Sequence, residues 1–257
     1  MRPQLFSIAL LPLSLLVPGL AQAQTLPAMD WSGAYLGAGL GGVVDIANTS
    51  GQGSDNGQPA YFNATDLAQL RSALAAPNST TRLAGQVFAG FGQQTGQLYY
   101  GLEASMGTAS LEGSRTTSQD YDSLPGTSFT NTLAYSAHWQ AALRARLGIA
   151  RDNWLAYVSG GLAATQFHLD ATFSDTNGAT PGRGSSSSDP LVLGVTLGLG
   201  AEYALDEHWS VRADYAFTHF GEASTTMAIV YPGFSSDLRN GVQLSSHTVT
   251  AGLSYRF

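Results

Sequence analysis

Eight charged residues lie in stretches whose residues alternate: Arg82, Glu103, Arg144, Arg146, Glu202, Arg212, Asp214 and Arg256. Each falls on the parity opposite the large apolar side chains of its stretch. Five guanidinium groups and three carboxylates on one side of a structure could do two things. Along an open channel, Arg144, Arg146, Arg212 and Arg256 would favour anions. Enclosed together, Glu103, Glu202 and Asp214 would neutralise arginines, because an unpaired buried charge costs several kcal/mol. The paired plug is the expectation, and it predicts little or no stable conductance.

Other candidates for chemistry are weaker. His138 shares a parity with Ser136, and His247 lies beside Ser245 and Ser246. A serine nucleophile needs a histidine base and a third group to orient it, and no carboxylate is spaced to complete a triad. His138, His219 and His247 are therefore read as residues near an aromatic belt. Asp120 and Asp122 stand two apart without the glycine and bidentate glutamate of a calcium loop, so they read as solvated loop residues. Without cysteine there is no disulfide, thiolate nucleophile or Cys-ligated metal. No catalytic, cofactor-binding or metal-binding residues are expected.

The elements that must carry the charges read as strands. From His247 to Phe257, the odd positions His247, Val249, Ala251, Leu253, Tyr255 and Phe257 are largely apolar, and the even positions Thr248, Thr250, Gly252, Ser254 and Arg256 are small, polar or charged. Period-2 alternation of this kind belongs to a strand with a different solvent on each face. Seven more segments precede it: 31–44, 82–92, 97–108, 133–149, 154–169, 191–203 and 209–220. In 133–149, Leu133, Tyr135, Trp139, Leu143, Leu147 and Ile149 share one face against Ser136, His138, Gln140, Arg144 and Arg146. The facing of 154–169 is left open, because both parities mix large and small apolar residues. Connections alternate between long (45–81, 109–131, 170–189, 222–244) and short (93–96, 150–153, 204–208).

This pattern predicts an all-β fold: an eight-stranded antiparallel up-and-down transmembrane β-barrel with long extracellular loops and short periplasmic turns. Each segment has at least the ~9–11 residues that a tilted strand needs to cross. An arginine facing lipid at midplane would cost roughly 2–4 kcal/mol, which explains the charge segregation. A soluble sandwich also alternates but would expose charge more freely. Within the first long loop, Leu67, Leu70 and Leu74 predict a short helix over 65–76, capped by Thr65, on or in the barrel mouth. Residues 178–188 are low-complexity and are expected to be mobile. Met227–Tyr231 reads as an extension of the last hairpin, with a ten-stranded barrel as the alternative. Trp139, Trp154, Tyr203 and Trp209 are assigned to the interface, where amphipathic rings settle.

Composition agrees. Charged residues are 11% of the chain, against ~25% in ordinary soluble proteins. Residues 1–23 combine Arg2, an apolar run and Ala21-Gln22-Ala23, and read as a secretory signal peptide; residues 24–257 form one barrel domain. All 11 basic residues are arginine against 18 acids, which excludes nucleic acid as a partner.

Trp31-Ser32-Gly33-Ala34-Tyr35-Leu36-Gly37, Tyr100-Gly101-Leu102-Glu103-Ala104, Arg144-Ala145-Arg146-Leu147-Gly148 and the terminal Tyr255-Arg256-Phe257 resemble, in content and order, the small opacity-like outer-membrane β-barrel family of Gram-negative surface proteins. The resemblance implies location in the outer membrane with both termini periplasmic, and contact with lipopolysaccharide and phospholipid. It also implies that Tyr255 and Phe257 signal to the barrel-assembly machinery, and that a host or environmental ligand could meet the loops. The family's roles are structural, adhesive or porin-like, so fold alone does not choose among them.

Overall fold

In the computed structural model, residues 29–54, 59–178 and 181–257 are described. The expected signal peptide, residues 1–23, lies outside them. Nine strands and one helix follow in order: β1 Gly33–Gly53, α1 Ala64–Leu74, β2 Ala76–Thr95, β3 Leu98–Asp120, β4 Ser128–Arg151, β5 Trp154–Asp175, β6 Arg183–Ser188, β7 Leu191–Ala204, β8 Trp209–Tyr231 and β9 Phe234–Arg256. Consecutive strands pair antiparallel except β6 with β7, and β1 pairs β9, so the sheet closes on itself. β7 pairs β5 from Trp154 to Gln166, and β6 pairs the next stretch of β5 from Leu169 to Ser174. β6 and β7 are thus one stave interrupted at Asp189-Pro190, where proline cannot donate to the ladder. With β6 and β7 taken as one, the described strands make eight staves. The short turns at 96–97, 152–153 and 205–208 lie at the end where β1 starts and β9 finishes, here called the base.

Toward the base, burial is inverted relative to a soluble protein. Leu40 is 76% exposed, Leu83 87% and Leu197 64%, whereas Glu202 is 0%, Glu103 1% and Arg146 2% exposed. Water cannot be the solvent outside such a surface, because burying charge while exposing leucine is stable only when the exterior is hydrocarbon. β5, whose facing the alternation leaves open, turns Leu155, Tyr157, Ser159 and Thr165 inward and Trp154, Val158 and Leu162 outward.

Toward the mouth the architecture changes. Of the four connections expected to be long loops, 109–131, 170–189 and 222–244 are mostly strand and 45–81 is divided between strand ends and helix α1; β4 alone runs for 24 residues, about twice what a crossing needs. Above Gln86–Gly107 no ladder joins β2 to β3, and above Gly194–Phe220 a single pairing, Arg183–Val230, joins the β6–β7 stave to β8. The mouth is therefore two four-stranded sheets, β8-β9-β1-β2 and β3-β4-β5-β6, enclosing an apolar core. That core includes Phe129, Phe167, Phe173, Met227, Ile229, Leu238 and Val242.

Bulges produce the switch. The β4 ladder slips between Ala137 and Gln140, and the β8 ladder between His219 and Glu222. One extra residue reverses the facing of everything beyond it. Leu133 and Tyr135 are consequently buried, at 3% each, while Leu143 and Leu147 are exposed on the same parity. This corrects the single apolar face expected for 133–149. His138 is exposed and does not share an inner face with the arginines.

Met227–Tyr231 completes the last hairpin, and Arg183–Ser188, expected to be mobile, is β6. Serine side chains leave the backbone free to pair. Helix α1 is capped by Asn63 instead of Thr65. The Asn63 carboxamide accepts from the Thr65 and Asp66 N–H groups, and the Asp66 carboxylate accepts from the Asn63 N–H. Leu70 and Leu74 point into the apolar core, and the Thr49 hydroxyl donates to the Leu74 carbonyl at 2.9 Å. The Gln69 side chain bonds the Asp120 carbonyl at 2.7 Å and the Asp122 N–H at 3.1 Å, tying the helix to the β3–β4 tip.

Candidate functional site: the ion-paired lumen

Glu103 on β3 is the centre of the lower interior. Its Oε1 accepts from Arg144 Nη2 at 2.8 Å; its Oε2 accepts from Arg212 Nη1 at 2.8 Å, from the Tyr35 hydroxyl at 3.1 Å and from Arg146 Nη1 at 3.2 Å. The register places these groups together: Glu103 is directly opposite Arg144, and Glu202 directly opposite Arg212. Arg146 continues the chain to Glu202 Oε1 at 2.5 Å. Arg212 Nε reaches Asp214 Oδ2 at 2.5 Å, and the Tyr157 hydroxyl donates to Asp214 Oδ1 at 2.5 Å. Three arginines and three carboxylates thus form one continuous network.

Aromatic rings hold the guanidinium planes. Arg146 lies 3.6 Å over the Tyr157 ring and Arg212 3.9 Å over Phe88. Glycine makes room for these rings. A Cβ on Gly90 would come within 2.4 Å of Tyr35, and one on Gly200 within 2.5 Å of Tyr157. The glycine-rich strands are therefore the counterpart of the inward tyrosines.

The other two lumen arginines stand apart from this network. Arg82 pairs with Asp45 at 2.7 Å nearer the mouth, where Ser246 also bonds Asp45. Asp45 lies one residue past Val44, the end expected for the first strand, and continues the inward parity of Tyr35 and Val43. Among the described residues, Arg256 meets no carboxylate within ion-pair distance. Its Nη1 donates to the Trp31 carbonyl, and its guanidinium lies 5.4 Å from the Trp31 ring centre and 5.0 Å from that of Tyr35. Trp31, Tyr99, Leu155 and Tyr157 pack there as a second apolar cluster that floors the lumen.

Outside, Trp154 packs at a tilt against Tyr203 at 4.8 Å, and Trp209 against Tyr255 and Tyr255 against Phe257 meet edge to face at 5.1 Å each, all beside the base turns. Trp139 sits at the β4 bulge, part-way up the wall. The base girdle and Trp139 thus lie at different heights on the barrel. In the mouth, the Tyr61 and Tyr121 hydroxyls both donate to Asp175, and burial, with the carboxylate adding to it, pushes both phenols far above their usual range. Two histidines neighbour hydroxyls on the outer face: His219 Nδ1 is 2.8 Å from Ser245 Oγ, and His247 Nδ1 is 2.8 Å from the Tyr215 hydroxyl.

A closed antiparallel sheet with leucine outside and a salt-bridged interior defines an integral outer-membrane β-barrel. The chain belongs to the outer membrane protein beta-barrel domain family, whose model matches residues 13–257. Among its relatives is the 31 kDa outer-membrane immunogenic protein of Brucella melitensis, 26% identical over 93% of this chain and 89% of that one. The 25 kDa outer-membrane immunogenic protein of Brucella abortus is 23% identical over 92% and 84%. The 22 kDa outer membrane protein of Rhizobium leguminosarum is 25% identical over 77% and 69%. Solved structures that align include OprG of Pseudomonas aeruginosa, at 12% identity and TM-score 0.43 over 90% of this chain and 99% of that one. The protein resides in the outer membrane.

Proposed function

We propose that this barrel is a closed, surface-presenting protein that supports envelope integrity and offers its mouth sheets and tips for recognition, without passing solutes. The observation that carries the reading is the charge-balanced network around Glu103: three guanidinium groups bound to three carboxylates occupy the lower interior, above a floor containing Trp31 and below a mouth packed around α1. An eight-stranded barrel is only wide enough for side chains to fill it. The Brucella relatives are described as immunogenic, which supports outward presentation here too. Lipopolysaccharide and phospholipid would contact the apolar belt, and a host or environmental ligand would meet the segments 45–81 and 222–244.

Planar-bilayer and liposome-swelling measurements on refolded protein test the reading. Absence of stable channels is expected; large, uniform openings would replace it with the alternative, a small low-conductance porin. Exchange of the mouth segments should move any adhesion without altering barrel assembly, and adhesion that survives their deletion would remove the recognition role.

A further inference from the structure

We propose that Ser245, His219 and Gln243 form a hydrolytic site for acyl esters on the outside of the barrel, at the upper edge of its apolar belt. The lumen role does not use these residues. β8 and β9 hold all three on the outer face: His219 is directly opposite Ser245, and Gln243 is the next outward residue of β9. Ser245 Oγ is 2.8 Å from His219 Nδ1, and Gln243 Nε2 is 3.5 Å from His219 Nε2. A glutamine amide presents its oxygen or its nitrogen by a half-turn. With the oxygen toward an Nε2–H, the remaining tautomer has a bare Nδ1 beside the serine hydroxyl, which is the acceptor that a serine nucleophile requires.

Two further observations locate a substrate. The row holding Ser245 and His219 continues to Val195 and Ile46, while the exposed ion pair Glu222–Arg239, at 2.7 Å, lies just above. The site therefore spans the boundary between hydrocarbon and water, where an amphiphile carries its ester groups. The β8 bulge falls beside His219 and leaves Gly221 in neither neighbouring ladder. Glycine there places no side chain beside the pair.

The reaction balances on these groups. Ser245 Oγ attacks the ester carbonyl carbon, and its proton passes to His219 Nδ1. The acyl–oxygen bond breaks, and the alcohol departs with that proton. Water then attacks the acyl-serine, giving one proton to His219, which returns it to Ser245 as the fatty acid leaves.

Refolded protein is treated with a fluorophosphonate probe, with folding verified by the heat-modifiable gel shift. It is also incubated with two vesicle types, one of phospholipid alone and one also carrying lipopolysaccharide. Labelling at Ser245 is expected, with release of fatty acid from at least one vesicle type; the type hydrolysed identifies the source of the ester. Folded Ser245→Ala and His219→Ala should lose about 100-fold in labelling or release. Gln243→Ala should slow labelling and Gln243→Glu restore it, as expected of a positioning residue. Absence of Ser245 labelling in folded wild type, labelling only elsewhere, or release unchanged in Ser245→Ala would overturn the proposal.

Discussion

Substituting Glu103 by glutamine tests the lumen at its centre. The amide keeps the shape and one acceptor oxygen but removes the charge that three guanidinium groups share. Glu202 and Asp214 would then face Arg144, Arg146 and Arg212, leaving one positive charge uncompensated in an interior where Glu103 is 1% and Arg146 2% exposed. Removing one partner of a buried pair costs about 3–5 kcal/mol. Urea unfolding of protein refolded into lipid vesicles, followed by fluorescence of its 4 tryptophans, should show the midpoint fall by that equivalent with the slope unchanged. Adding Arg144→Met restores the balance of charge, so the double variant should regain a substantial part of the loss; this is a coupling that independent sites do not show. If Glu103→Gln unfolds within about 0.5 kcal/mol of wild type, the size of an ordinary surface change, the lumen is hydrated and the paired-plug argument fails.

Leu197→Arg puts a guanidinium on the lipid face of β7, at a side chain 64% exposed, and should destabilise by roughly 2–4 kcal/mol in the same unfolding assay; a neutral result would place that face against water. Deleting Phe257 should lower the amount of assembled barrel in the outer membrane, seen as loss of the heat-modifiable gel shift, whereas an unchanged shift would separate the terminal aromatic from assembly. His168, in the mouth, bonds Asp189 at 2.6 Å and Asp170 at 2.9 Å. The hydrogen bond to Asp189, followed by the Asp170 charge, raises its pKa above the usual imidazole value of 6.5. The charged staple is therefore complete below 6.5 and is lost as pH climbs through the raised value. Asp189→Asn should move the His168 titration, read by NMR, back toward 6.5, and an unmoved titration would refute the pairing.

The lower barrel was legible because two solvents sort side chains with a period of two, and that sorting survives in the sequence of β3, β7 and β9 without reference to anything distant. The upper half was not. Ser, Thr and Asn in the expected loops suit a strand with a wet outer face as well as they suit a loop, so the end of the membrane was taken for the end of the strand. The single extra residues near His138 and Phe220 leave no compositional mark, yet each reverses every facing beyond it, which is why Leu133 and Tyr135 were placed with Leu143. Which carboxylate meets which arginine depends on cross-strand register. That is how Arg256, expected among the paired charges, proved to bind the Trp31 carbonyl, whereas Asp45, the partner of Arg82, fell one residue beyond the end expected for the first strand.

The contact between Arg256 and Trp31 joins residues 225 apart in sequence. Closing a chain segment of that length carries nearly the greatest entropic cost of any pairing in the molecule, and it yields nothing until the intervening staves have lined up. The floor should therefore form late, after the hairpins have zipped. Until then the cylinder stands open at its periplasmic end, so a nascent barrel would leak small ions briefly before it becomes tight.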